Sequence, residues 1–236
     1  MNYASRNQEM RYTDFENIMT PARMGRYLTA CGGNTRKAMT MYRKNLQLSQ
    51  ELFTVISCFE IALRNAIDQH YAGTFGNDWL RNAAAPGGIF DNSQCRMTKT
   101  TINDAIQKLN HSYTHCKLVA ELGFGFWRYM FAPKQFTACG RMLLDILPAK
   151  PRSTSAMQYN QRFVFNQLAT INNIRNRIAH HEPICFLPDN PVKNTTYARQ
   201  HYNLILKFFH WMSIDEAALL YGLDHINTVC NEIDAI

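Results

Sequence analysis

Apolar side chains fall at positions 52, 55, 56, 59, 63 and 67, in steps of three and four. That spacing lines one face of an α-helix and cannot serve a strand, whose faces alternate every second residue. The rhythm returns at Val164, Leu168, Ile171, Ile174 and Ile178. No segment shows convincing strand alternation, and there is no internal repeat or low-complexity tract. The expected fold is all-α. A chain of 236 residues buries roughly 70% of the surface its unfolded form exposes. No linker divides it convincingly, so a single domain over 1–236 is expected.

Local punctuation places the helices. Thr20-Pro21 reads as a cap followed by proline at the first helical position, and Gly32-Gly33 as that helix's end. Asn34 can cap a long helix from about Thr35 to Tyr71, with Leu48-Ser49 as a candidate break. Asn82 to Gln94 reads as a loop. Helices are expected at about 97–115 and 134–147, with the aromatic segment Phe124 to Phe131 between them. After a second loop, Pro148 to Ser155, a helix should run from about Ala156 to His181. Glu182 precedes Pro183, a position that disfavours helical geometry. A third loop, Leu187 to Thr196, contains Pro188, Asn190 and Pro191. Tyr197 to Met212 should be helical, and Ser213-Ile214-Asp215-Glu216 has the pattern of a capping box.

The net charge of +7 favours polyanionic partners over cationic ones, although it also serves solubility. The basic residues form no single run, which leaves a basic folded face rather than a basic tail. Seven cysteines are scattered without a C-x-x-C. They suggest neither a disulfide framework nor a zinc site, and point to a reducing compartment. The N-terminus has no apolar leader, and no uninterrupted apolar run approaches the length of a membrane span. A cytoplasmic protein without membrane attachment is expected.

The chemistry concentrates in Ile174-Arg175-Asn176-Arg177-Ile178-Ala179-His180-His181-Glu182-Pro183. Projected at 100° per residue, Arg175 lands in the middle of the apolar stripe. A cation there calls for a carboxylate or a bound anion. His180 projects at about 160° on an ideal helix, on the side of Asn176. Arg175 and His180 therefore do not converge on one straight helix. Either the last turn distorts before Pro183, or a second helix or subunit completes the site. Arg177 points away from the stripe, towards solvent or an RNA backbone. His181 is a capping, surface or supporting residue.

A second constellation is Glu60-x3-Arg64-Asn65. Glu60 and Arg64 share a shoulder of the first apolar stripe. They either pair with each other at i,i+4, or Glu60 reaches across a helix pair to hold Arg175. His70 falls inside the stripe and reads as a packed histidine. Trp79, Trp127 and Trp211 read as core more readily than as base-stacking platforms. His111-x3-His115 could share a helix face, but no third ligand accompanies the pair and no metal or other cofactor is expected.

In order and spacing, Glu60-x3-Arg64-Asn65, Phe75-Gly76-x2-Trp79-Leu80, Leu122-Gly123-Phe124-Gly125-Phe126-Trp127 and Arg175 to Glu182 resemble the Abi-like abortive-infection family within the HEPN superfamily. The resemblance covers roughly residues 45 to 215 and is loose before that. It implies a HEPN-type helical bundle over about 46–215. Additional N-terminal and inserted helices would surround it, the N-terminal extension covering 1–45. It also implies a homodimer with two motifs facing each other, and a metal-independent endoribonuclease in anti-phage defence. Arg175, Asn176 and His180 would be catalytic. Glu60, Arg64, Asn65 and His181 would support them, and Arg177 would contact RNA.

The chemistry needs no metal, because the ribose 2′-OH is a nucleophile already beside its phosphate. The expected products carry a 2′,3′-cyclic phosphate and a 5′-OH. Two alternatives remain: a non-catalytic protein that binds or senses RNA, such as a small RNA, and a toxin held silent by an antitoxin protein or RNA.

Overall fold

The local stop and start signals act where the sequence puts them. Thr20 Oγ1 accepts from Arg23 N at 3.4 Å, opening the helix that Pro21 begins. Gly32 and Gly33, at φ 59° and 81°, end it, and Gly33 N donates back to Leu28 O at 2.9 Å. Asn34 Oδ1 then accepts from Lys37 N at 3.0 Å and starts the next helix. This computed structural model describes residues 10–187 and 190–236. Met1 to Glu9, with the expected leaderless start, and Pro188 of the third loop lie outside the described residues.

The helices are α1 (Tyr12–Met19), α2 (Pro21–Ala30), α3 (Thr35–Phe75), α4 (Trp79–Ala84), α5 (Arg96–Leu109), α6 (His115–Glu121), α7 (Phe124–Tyr129), α8 (Pro133–Ala138), α9 (Gln161–Ala179), α10 (Thr196–Trp211), α11 (Glu216–Leu219) and α12 (Ile226–Asp234). The fold is all-α: no β-strand forms among the described residues, and the one extended pairing given for them is an isolated bridge from Phe186 to Lys193.

Two compact units emerge. The first comprises residues 1–53, 177–202 and 222–236, and the second 54–176 and 203–221. Both are assembled from separated stretches of chain, which is why no linker is legible between them. In the first unit, aromatic rings form a relay from Phe15 to Tyr42, Tyr27 and Phe186, with centroids 5.0–5.4 Å apart in edge-to-face contact. In the second, Phe59 meets Phe124, Phe208 and Phe209 at 5.5–6.1 Å.

The long helix α3 carries no break at Leu48-Ser49. By length and composition alone it is long and apolar enough to cross a membrane. Leu52, Val55, Ile56, Phe59, Leu63 and Ile67 are, however, fully buried in the protein. The 3- and 4-step stripe is a core stripe.

The tryptophans also belong to cores, with Trp79, Trp127 and Trp211 at most 2% exposed. Each of the first two gives its indole N–H a partner, as burial requires. Trp127 donates to Leu122 O at 2.8 Å, and Trp79 to Asp68 Oδ1 at 2.8 Å. Gly76, at φ 90°, makes the sharp exit from α3 that delivers Trp79.

Several helices are shorter than their patterns suggested. The 97–115 segment breaks at Asn110, whose φ is 45° and ψ −125°, and α6 restarts under the Thr114 cap. The 134–147 segment stops at Ala138, because Gly140 and Arg141 adopt positive φ. The capping box at 213–216 does not form as a box. Ser213 sits at φ 57° and finishes α10, while Asp215 Oδ1 accepts from Ala218 N at 3.0 Å and caps α11.

Candidate functional site

The helix carrying the arginine-asparagine-histidine motif, Gln161–Ala179, starts later and stops earlier than the expected span from about Ala156 to His181. Asn160 Oδ1 accepts from Phe163 N at 3.0 Å and sets the start. Upstream, Ser153 and Thr154 side chains accept from Tyr159 N and Met157 N. Such local bonds offer the backbone an alternative to a helix.

The end comes at Ala179. His181 takes φ 56° and donates its N–H to Ile178 O at 2.9 Å, while Glu182 N donates to Arg177 O at 2.9 Å. This is a Schellman cap with His181 in the left-handed position usually given to glycine. The expected stop at Glu182 is thus corrected: a left-handed residue ends the helix before the proline can. His180 occupies the half-helical position just past the last turn. An ideal-helix projection of its side chain does not apply.

Arg177, expected as an RNA contact, has intramolecular partners. Its Nε lies 3.0 Å from Glu182 Oε2, its Nη2 donates to Pro183 O at 2.9 Å, and its guanidinium stacks over Tyr197 at 4.8 Å. Three groups after the helix are therefore tied to one side chain within the first unit. The consequence for charge is direct. Glu182, the acidic residue of the turn, is drawn to Arg177.

Around that turn is a pocket of about 420 Å3 lined by Thr20, Ala22, Arg23, Arg26, Tyr27, His180, His181, Glu182 and Pro183. Arg23 Nη1 donates to His181 O at 2.8 Å, and Arg26 stacks over Phe186 at 5.5 Å. Neither arginine has a carboxylate partner among the described residues. Both come from the first turns of α2, whose positive dipole end adds to their field. His180 is exposed here and makes no protein hydrogen bond among the described residues.

On the other side of His181 is an apolar recess of about 320 Å3. It is lined by Leu46, Ser49, Gln50, Phe53, Ile178, Ala179 and His181. Buried Asn45 holds the segment after the turn, its Oδ1 accepting from Ile184 N at 2.9 Å and Cys185 N at 3.2 Å.

In the second unit, Arg175 is half-buried and its Nε is enclosed with no protein acceptor. The same holds for Arg64 Nε. Among the described residues no ion pair joins Glu60 to Arg175 or to Arg64, so both expected pairings of Glu60 are corrected. Buried donors without partners cost about 1–3 kcal/mol each. Asn65 is exposed, and Asn176 is half-buried.

His70 packs edge-on to Tyr71 at 5.3 Å. His111 is exposed, whereas His115 Nε2 lies 2.7 Å from Asp68 Oδ1. Among the described residues no group of three or more His, Cys, Asp or Glu gathers as a metal site.

Sequence reasoning overlooked Arg23, Arg26 and Asn45. The available signal was two arginines three apart directly after a Thr-Pro helix start. The motif resemblance, carried by residues from about 45 onwards, did not reach them.

A helical chain with a motif of this kind defines a class, and comparison with known families identifies it. The family model described as Abi-like protein matches residues 8–185, so the match includes α2. The chain belongs to the Abi-like family. No curated protein and no solved structure matches it.

Proposed function

We propose that this Abi-like protein is a HEPN-type, metal-independent endoribonuclease that acts in the cytoplasm in anti-phage abortive infection, as a homodimer. The observation that carries the reading is Arg175. Its guanidinium is half-buried on a helix whose neighbouring Ile171 and Ile174 are fully buried, and its enclosed Nε has no protein acceptor. A cation kept in that state suits a bound anion.

In this reading Arg175 stabilises the charge that accumulates on the phosphate as the 2′-OH attacks it. Asn176 orients a phosphate oxygen or His180. His180 takes the 2′-OH proton or returns one to the leaving 5′-oxygen, and the second copy's His180 fills the complementary role. The P–O5′ bond breaks as the P–O2′ bond forms, giving a 2′,3′-cyclic phosphate and a 5′-OH.

The test is cleavage of single-stranded RNA in EDTA, with products analysed for the cyclic phosphate. His180→Ala should lower the rate by at least about 100-fold, while circular dichroism shows an unchanged fold. Undiminished cleavage by that variant sinks the assignment. Tight, salt-sensitive RNA binding without the cyclic product would instead mark a binding protein.

A further inference from the structure

Three observations in the first unit converge on the turn after α9. The first is the cationic pocket of Arg23, Arg26, His180 and His181, whose one carboxylate, Glu182, is engaged by Arg177 at 3.0 Å. The second is the recess beyond His181, where Leu46 and Phe53 remain 44% and 41% exposed. Large apolar side chains in a concave wall are the usual lining of a small-ligand site. The third is their junction: His181 lines both cavities, so the charged compartment and the apolar one adjoin.

A phosphate with an aromatic base attached has this same division of polarity. Arginine supplies planar, multidentate donors suited to phosphate. Arg23 uses one Nη on His181 O and keeps the rest of its five N–H donors. Ser49, in the recess wall, offers a hydroxyl to a base edge. A paired base inside a duplex presents no free face to such a recess, whereas a splayed single-stranded base does.

We propose that Arg23, Arg26, His180 and His181 seat a phosphate of single-stranded RNA, and that the recess of Leu46, Phe53 and Ile178 receives the adjoining base. The proposal rests on the RNA reading above and adds residues to it that lie outside the Arg175-to-His180 motif. Arg177 is then a positioning residue, since it keeps Glu182 from neutralising the seat.

The experiment uses the full chain and fluorescein-labelled RNA hexamers, with binding followed by anisotropy across a salt series. Arg23→Gln with Arg26→Gln should weaken binding by at least about tenfold. It should also flatten the slope of log affinity against log salt by about 1.4, as expected for two lost contacts to a single strand. Among hexamers carrying one abasic ribose each, one position should bind about tenfold more weakly to the native chain. That difference should vanish in Leu46→Asn.

Unchanged affinity and slope in the double arginine variant overturn the phosphate seat. A Leu46→Asn chain that turns from dimer to monomer in sedimentation while binding every hexamer as before overturns the base seat, and makes the recess a subunit contact. Cleavage in EDTA is scored separately. Binding that follows these residues without any cleavage supports the seat and removes the nuclease, whereas cleavage with binding indifferent to them does the reverse. Thermal melts of each variant confirm folding.

Discussion

At the scale of single residues, this protein places polar side chains inside apolar surroundings for two different ends. Asn45 is buried, and its one carboxamide oxygen serves the N–H groups of both Ile184 and Cys185. Asn45→Ala leaves two enclosed donors without an acceptor and should cost about 2–4 kcal/mol in urea unfolding. A loss under 1 kcal/mol would mean that the segment after the turn is held by something else. Arg175 is the opposite case, enclosed at Nε and lacking a protein partner. Sequence periodicity located it correctly on the stripe. Of the two partners the sequence allowed it, a carboxylate or a bound anion, Glu60 is not paired with it, because Glu60 lies on another helix and no local spacing reports the distance between them.

At the scale of elements, helix ends carry much of the information. Two helices, α9 and α10, finish with the same pair of backbone bonds around a left-handed residue that is not glycine. His181 and Ser213 have φ 56° and 57°, and their neighbours Glu182 and Ile214 donate to Arg177 O and Phe209 O. A side chain in that conformation is strained relative to glycine. Ser213→Gly should therefore stabilise the chain by about 0.5–1 kcal/mol, read as a rise of about 2 °C in Tm. A fall would show that the serine side chain contributes more than its strain costs. The motif's own cap was harder to foresee. Pro183 advertises a helix stop, and the left-handed His181 that supplies it has no sequence signature comparable to glycine.

At the scale of the whole molecule, stability should depend on pH through a histidine outside the motif helix. Burial holds His201 below the ordinary value of 6.5 and outweighs the Tyr197 carbonyl, which pulls the other way, while the Arg177 cation adds to the depression. The unfolded chain then binds the proton first. The stability from keeping His201 neutral is complete above pH 6.5 and is lost as pH falls through the depressed folded value. Urea midpoints measured between pH 8 and about 5 should decline on the acid side, and His201→Gln should flatten that decline. An identical decline in the variant would assign it to other groups.

The sequence by itself determined the all-α class, the cap of α2, the cap and core stripe of α3, the buried tryptophans and the family. Those properties are written in period and punctuation, which act within about four residues. The tertiary structure alone decided what surrounds His180. Arg23 reaches the carbonyl of His181 across 158 positions of chain, and Asn45 reaches Ile184 across 139. Contacts of that separation depend on how the whole first unit closes, so helical spacing exposed the motif without revealing the arginines that stand beside it.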